Sequence, residues 1–345
     1  MAKQTLAVKY RPTTFNDVVE QNSTKIILQQ QLETGEVKNA YLFVGGAGTG
    51  KTTCARIFAN EINGYVGSPI ELDAASNSSV DDVRNIIQQA KTKSLDSEYK
   101  VFIIDECHSL SNTAWQAFLK LIEEPPAKSI FIFATTNPEK IPKTILSRVQ
   151  RYDFKRISQQ GIVDRLKYIL RQEEESYDYL RYDTDAVEYI AKLAEGGMRD
   201  AITLLDKCLS YSSELTIENV VKALGTADYN IMIGLTNEIV HDIRLGIIES
   251  IEKIHADGID LKQFIRQYIN FILDIKKWFI VGDFQYLQIP EIADVTEFLQ
   301  QLETEDKWDS ISKLLDTLIE INGIIKYDSN PKYIIEAMLL QEDFA

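Results

Sequence analysis

Gly45-Gly46-Ala47-Gly48-Thr49-Gly50-Lys51-Thr52 fits G-x-x-x-x-G-K-[ST], and this stretch constrains the chain more than any other. Such a loop wraps nucleotide phosphates only where a strand feeds it and a helix leaves it. Both are in place: the apolar run Tyr41-Leu42-Phe43-Val44 reads as a buried strand, and Thr53-Cys54-Ala55-Arg56-Ile57-Phe58-Ala59 reads as a helix. Glycines 45, 46, 48 and 50 let the backbone curl so that successive N–H groups and the positive end of the helix dipole converge on the phosphates. Lys51 adds a point charge, the Thr52 hydroxyl suits Mg²⁺, and Thr53 follows as a further nucleotide-binding candidate at the helix start. A glycine-rich turn that merely joins strand to helix would not need every motif position in register.

With 345 residues the chain is long enough for two or three domains with cores of their own. Hydrophobic content of 45% without a long uncharged apolar run predicts a soluble protein with no membrane partner. Met1-Ala2-Lys3-Gln4-Thr5 lacks the apolar stretch of a signal peptide, so a cytosolic location is expected. Cys54, Cys107 and Cys208 stand far apart, which suggests packing residues rather than a disulfide framework or a zinc site.

A net charge of −15 looks unsuited to nucleic acid until it is divided along the chain. Residues 1–160 carry 19 Lys and Arg against 17 Asp and Glu, a net +2; residues 161–345 carry 18 against 35, a net −17. Any path for DNA therefore belongs to the first half.

Strand-like runs recur through that half, at 41–44, 70–72, 101–104, 130–134 and 152–154, with helical segments such as 80–87 and 114–122 between them. Strand alternating with helix predicts an α/β fold, a parallel sheet covered on both faces. From about residue 158 the strand signal ends. Helical patterns at 161–173, 184–194, 199–211 and 216–224 predict a small domain, and those near 230–241, 244–256, 259–281, 305–325 and 331–341 predict a wholly helical third one. The expected divisions are 1–157, 158–225 and 226–345.

Val101-Phe102-Ile103-Ile104-Asp105-Glu106 supplies the chemistry that a phosphate loop lacks. Asp105 at a strand tip can hold the Mg²⁺ shell with Thr52, and Glu106 can orient and polarise the attacking water. Ile132-Phe133-Ala134-Thr135-Thr136-Asn137 ends a third strand in small polar groups. Placed between the first two strands, it would point them at the γ-phosphate or the water.

Ala7-Val8-Lys9-Tyr10-Arg11-Pro12 and Phe15-Asn16-Asp17-Val18-Val19-Glu20-Gln21 resemble the opening of the AAA+ clamp-loader ATPases, of the bacterial DNA polymerase III gamma/tau type. The resemblance continues through Asp73-Ala74-Ala75-Ser76, Asp105-Glu106-Cys107-His108-Ser109-Leu110, Leu121-Ile122-Glu123-Glu124-Pro125-Pro126, Ala134 to Pro142, Ile145-Leu146-Ser147-Arg148, Gly197-Met198-Arg199-Asp200-Ala201 and the end of the chain. It implies an AAA+ P-loop core, a helical lid and a helical collar. It further implies ATP and Mg²⁺ as cofactors, with Tyr10, Arg11, Pro12 and Val18 lining the adenine and ribose pocket. By the same resemblance Thr136 is the first sensor of the γ-phosphate with Asn137 beside it, Arg199 is the second sensor, and Arg148 is an arginine finger presented to an adjacent subunit. The partners implied are other clamp-loader subunits in a ring-like assembly, a pentamer in this family, together with a sliding clamp and primer-template DNA.

The chain departs from the family twice. Where gamma/tau subunits carry a four-cysteine zinc module, only Asn60-Glu61-Ile62-Asn63-Gly64-Tyr65-Val66-Gly67-Ser68-Pro69 stands, so no zinc is expected. Relatives often carry basic residues after Ala-Ala-Ser; here Asn77-Ser78-Ser79 follow, which predicts a weaker salt dependence of DNA binding. The length corresponds to the motor without the tau extensions, as suits a phage or other mobile replicon working in the bacterial cytosol or an infected cell. The function expected is thus the motor subunit of a clamp loader. Its rivals are a non-hydrolysing stator, against which Lys51, Thr52, Asp105 and Glu106 argue, and another AAA+ machine such as a branch-migration helicase, against which the helical 228–343 region argues. An interaction-only protein would fail to bind nucleotide.

Overall fold

The computed structural model describes residues 4–76, 80–92, 94, 96–174, 179–224, 229–326, 328–341 and 344. Asn77, Ser78 and Ser79, and the expected boundary at 225, lie outside the described residues. The chain forms two compact units, one of residues up to 178 with Ile190–Asp206, the other of Tyr179–Tyr189 with Lys207 onward.

The first unit is built on five strands, β1 (Ala40–Gly45), β2 (Ile70–Asp73), β3 (Lys100–Asp105), β4 (Ser129–Thr135) and β5 (Gln150–Phe154). They form one sheet in the order β2-β3-β4-β1-β5, with every neighbouring pair parallel. β4 therefore lies between β1 and β3, the placement on which the reading of its polar C-terminal end was conditional. Around the sheet come α1 (Leu6–Lys9), α2 (Asn22–Thr34), α3 (Lys51–Ile62), α4 (Val80–Ala90), α5 (Asn112–Glu123), α6 (Lys143–Leu146) and α7 (Gln159–Glu173).

Side chains alternate across the pleat, so each apolar strand serves two cores. Tyr41 and Phe43 of β1, with Ile130 and Ile132 of β4, pack in one cluster with Leu28 of α2 and Phe58 of α3. Leu42, Phe102, Phe131 and Phe133 pack in the other with Val83 and Ile86 of α4 and Trp115 and Phe118 of α5. Phe102 stacks on Phe131 with centroids 5.1 Å apart, and Phe118 meets Phe133 edge to face at 5.2 Å. Two-sided burial is why these strands read as unbroken apolar runs.

Beyond α7, the helices α8 (Thr184–Leu193) and α9 (Met198–Tyr211) each have residues in both units. The second unit adds β6 (Arg181–Tyr182), β7 (Glu214–Leu215), α10 (Ile217–Leu224), α11 (Tyr229–Val240), α12 (Arg244–Ala256), α13 (Leu261–Val281), α14 (Ala293–Thr304), α15 (Trp308–Ile325) and α16 (Pro331–Gln341). The expectation that strands end near 158 needs correction. β6 and β7 pair in parallel through Arg181 N–H to Ser213 O and Asp183 N–H to Leu215 O, a pairing too short to leave a period in sequence. The core of the second unit is apolar and, among the described residues, holds one buried charge: Asp274 of α13 accepts from the Ile289 backbone N–H at 2.9 Å and from Lys277 Nζ at 2.7 Å. Among the described residues no helix is long and apolar enough to cross a membrane.

Trp115 lies 5.3 Å from the Phe133 ring, so its fluorescence reports the sheet core. In a protein whose Trp278 and Trp308 are changed to Phe, Phe131→Ala should lower the urea-unfolding free energy read at Trp115 by about 3–5 kcal/mol. Tyr65→Ala, at a 58% exposed side chain, should change it by less than about 0.5 kcal/mol. A loss below about 1 kcal/mol for Phe131→Ala would mean that the stacked ring does not hold the sheet together.

Candidate nucleotide-binding site

The parallel sheet brings the C-terminal ends of β1, β3 and β4 to one edge, and the phosphate-loop motif turns there. Gly45 leaves β1 so close to β5 that a Cβ would sit 2.4 Å from Phe154 O. Gly48 adopts φ +69°, and a Cβ there would lie 3.0 Å from Gly197 Cα. The loop is also bonded to the start of α9, because Met198 N–H donates to Gly48 O at 3.0 Å. Gly50, at φ +101°, ends the turn and α3 begins at Lys51.

Lys51 is buried, and its Nζ donates to Gly45 O at 2.8 Å and Gly46 O at 2.7 Å. The ammonium thus spans the loop entrance, at the place where phosphate oxygens would compete for it. Burial pushes its pKa down, while the charges of Glu106 and Asp105 act in the opposite direction. Thr49 Oγ1 donates to Gly46 O at 2.9 Å and braces the turn.

Thr52 Oγ1 donates to Asp105 Oδ2 at 2.6 Å, joining the first turn of α3 to the tip of β3. A hydroxyl and a carboxylate are the hard oxygen donors that Mg²⁺ takes, so this pair fits the ion expected there. Asp105 Oδ1 also accepts the Glu106 N–H at 3.0 Å. Glu106 itself stands in the left-handed region at φ +46°, an uncommon conformation for a residue with a side chain. That turn swings it out of the strand direction, and its Oε2 accepts from Thr136 Oγ1 at 3.2 Å. His108 Nδ1 lies 3.2 Å from the same Oε2 and 3.2 Å from Thr135 Oγ1. Asn137 contributes its backbone N–H, which donates to Thr135 Oγ1 at 3.0 Å.

Tyr10, Arg11, Pro12 and Val18 line the cavity above the loop together with Ala47 to Thr53, Asp105, Glu106 and Arg199. Five cations therefore face one cavity, since Lys51, Arg11 and Arg199 are joined there by Arg56 and Arg165. Burial first, then the positive charges of Arg56 and Arg199, push the Arg11 guanidinium below its ordinary value, with Glu71 opposing. Glu71 pairs with Arg56 at 2.6 Å. Such a field favours a polyanion.

Arg148 is not among these residues. Its guanidinium donates to Thr144 O at 2.9 Å and Ser147 Oγ at 3.0 Å, and pairs with Glu123 Oε1 at 2.9 Å. Within one chain it is a rim arginine paired with an acid, directed elsewhere than its own phosphate loop. Sequence reasoning also missed participants. Arg56 stands five positions beyond Lys51 on α3, and His108 lies in the quoted Asp105-Glu106 motif, so both were findable. Arg165, Met198 and Ile202 reach the cavity only through the packing of α7 and α9.

Cys54, Cys107 and Cys208 are buried free thiols. Burial pushes all three up, Cys54 and Cys208 to about 12. Among the described residues no group of three or more His, Cys, Asp and Glu is placed to hold a metal ion.

A family model described as "DNA polymerase III, delta subunit" matches residues 68–158, and one described as "DNA polymerase III clamp loader subunit, ATPase lid domain" matches 161–214. The DNA polymerase III subunit tau of Bacillus subtilis is 34% identical over 364 aligned residues, covering 99% of this chain and 63% of that protein. The Escherichia coli tau subunit is 32% identical over 79% of this chain and 45% of its own length. The chain thus spans less than two thirds of these tau subunits. The DNA polymerase III subunit gamma of Buchnera aphidicola from Acyrthosiphon pisum is 31% identical over 80% of this chain and 81% of that protein. Among solved structures, the Thermotoga maritima RuvB Holliday junction branch migration motor superposes with a TM-score of 0.52 at 20% identity, over 75% of this chain and 90% of that one. That likeness bears on the fold alone, an AAA+ P-loop sheet followed by helical regions. Aligned with a gamma subunit over about four fifths of both proteins, and carrying the lid sequence of clamp-loader subunits, this chain belongs to the DNA polymerase III gamma/tau subunit family.

Proposed function

We propose that the chain is the ATP-driven motor subunit of a sliding-clamp loader, binding and hydrolysing ATP to open a clamp and place it on primer-template DNA. The observation that carries this reading is the 2.6 Å hydrogen bond between Thr52 and Asp105, which sets the Mg²⁺ donors, the phosphate loop and Glu106 side by side. The relatives' names, subunits of DNA polymerase III, support the replication context.

The triphosphate would lie on the loop amides, with Lys51 and Arg199 against the β- and γ-phosphates and Tyr10, Arg11, Pro12 and Val18 around base and ribose. Thr52 and Asp105 would hold Mg²⁺, which would supply charge neutralisation on the phosphate oxygens. Glu106 orients the attacking water and accepts its proton as the new bond to the γ-phosphorus forms and the bond to ADP breaks. The Thr136 hydroxyl, which donates to Glu106, would exchange that contact for the γ-phosphate and so sense it, with Asn137 alongside. Residues 1–157 would form the ATPase core, 158–225 the lid and 226–345 the collar through which other loader subunits assemble, as a pentamer. DNA would follow the first half, where the net charge is not acidic. The work would take place in the cytosol of a bacterium or of an infected cell. A branch-migration role would call for a winged-helix domain after the lid, whereas the described residues beyond 216 include no strand.

Catalysis is the first test. Lys51→Ala should lose ATP binding in a calorimetric titration. Glu106→Gln should bind ATP normally and hydrolyse it about 10²–10⁴-fold more slowly with clamp and primed DNA present. Unchanged turnover in Glu106→Gln would remove Glu106 from the role of base.

Arg148 is proposed to act on a neighbour's nucleotide. Such a finger offsets charge that develops only during phosphoryl transfer, about 10³–10⁵ in rate. Arg148→Ala should bind ATP as wild type does and lose hydrolysis in the assembly. Mixed with Lys51→Ala protein, it should regain partial hydrolysis, because some interfaces then pair an intact site with an intact finger. A mixture that assembles and stays inactive, with Arg148→Ala alone hydrolysing at the wild-type rate, would leave Arg148 a surface residue.

The chain is further proposed to hold no zinc, on the strength of the missing cysteine quartet and of three buried thiols that resist forming thiolate ligands. Elemental analysis of purified protein should find no stoichiometric zinc, and a zinc chelator should leave the thermal midpoint unchanged. One tightly held zinc per chain would overturn this.

A further inference from the structure

A buried carboxylate outside the phosphate site calls for explanation. Glu173 is the last residue of α7, at the negative end of a helix, and its side chain is fully buried. Both conditions oppose a charged acid there. Among the described residues, donors that answer them come from the N-terminal segment: Tyr10 Oη donates to Glu173 Oε1 at 2.7 Å, and Lys9 Nζ pairs with the same oxygen at 2.5 Å. The next residues in sequence, Arg11 and Pro12, line the nucleotide cavity, as Tyr10 does.

The segment is tied to α7 at two further points. Arg165 donates to Tyr10 O at 3.0 Å from the middle of the helix. At its start Ser158 N–H donates to Glu20 Oε1 at 3.2 Å, and a Cβ on Gly161 would meet the same carboxylate oxygen at 2.8 Å. The Arg165 tie grips the Tyr10 backbone, whereas the tie at Glu173 grips the Tyr10 side chain. A phenol and an ammonium on one buried oxygen form charge-assisted bonds, which fix direction as well as distance.

We infer that Glu173 is a positioning residue for nucleotide binding: by holding Tyr10 and Lys9 it sets the wall of the pocket that receives the base and ribose, without touching the nucleotide. This rests on reading the cavity as a nucleotide site. It separates two parts of the ligand, because the phosphates meet the loop and Lys51, which Glu173 does not contact, whereas base and ribose meet the wall that it holds.

The test is calorimetric titration of the full chain with Mg·ATP, Mg·ADP and inorganic tripolyphosphate. Glu173→Gln should weaken ATP and ADP by the same factor, roughly tenfold, the scale of one charge-assisted hydrogen bond, and leave tripolyphosphate unchanged. Tyr10→Phe should weaken ATP in the wild-type background and add little in the Glu173→Gln background, since both remove one contact. Equal weakening of ATP and tripolyphosphate would show a general distortion and overturn the positioning role, as would full additivity of the two changes or wild-type ATP affinity in Glu173→Gln. Should Glu173→Gln fail to fold, Tyr10→Phe and Lys9→Met carry the same comparison, and unchanged ATP affinity in both overturns the inference. Lys51→Ala distinguishes the two levels: if it binds ATP as wild type does, the nucleotide-site reading fails, whereas if it alone loses binding, only the role of Glu173 fails.

Discussion

The first unit depends on a parallel sheet buried on both faces. β4 shows the constraint most fully, because it is paired on either side and every one of its residues is buried. A parallel arrangement points all C-terminal ends the same way, so residues that break the apolar runs gather on one edge. There Gly45 ends β1, Asp105 ends β3 and Thr135 ends β4, and the hydrogen bonds from Thr52 to Asp105 and from Thr136 to Glu106 follow from that adjacency. The chemistry is thus a consequence of strand order.

Close backbone approach is the second constraint. Gly45 faces Phe154 O at a distance that excludes a side chain, and Gly48, at φ +69°, faces the Gly197 backbone with only tight room for one. The motif glycines therefore do more than curl a loop around phosphates. They let the loop lie against β5 on one side and the start of α9 on the other, so Arg199 is fixed beside the cavity by the bond between Met198 N–H and Gly48 O. A displacement of α9 would be felt directly by the phosphate loop.

The strands of the sheet and most helices were legible because burial on one or two faces writes a period or an apolar run into the sequence. α2 was not: only Thr24 and Leu28 of its residues are buried, and exposed Ile26 and Ile27 blur the period. α14 does carry Val295, Phe298, Leu299 and Leu302 at helical spacing, and its omission was a failure to apply the pattern. In the site, Lys51, Thr52, Asp105 and Glu106 were readable from local motifs, whereas Tyr10, Arg11 and Arg199 rested on family resemblance. Glu173 and Arg165 had no signal at all. A glutamate at the end of a polar helix reads as solvated, and only the packing of the N-terminal segment on α7 reveals it as buried.

Charge shows the same dependence on scale. A chain of net charge −15 concentrates Lys51, Arg11, Arg56 and Arg199 around one cavity, so the total says nothing about the field a ligand meets. Arg148 is the contrasting case. Its pairing with Glu123 joins two side chains that are 40% and 43% exposed, and ion pairs of that kind contribute about 0–1 kcal/mol. The fork geometry of Arg148 suits a phosphate better than one carboxylate oxygen, so a stronger anion would compete with Glu123, and with the bonds to Thr144 and Ser147, for this guanidinium. The Lys9–Glu173 pair differs in kind, because its acid is fully buried and breaking it would strand a charge. The weak pair would suit a residue proposed to change partners, and the buried one a wall proposed to hold its place.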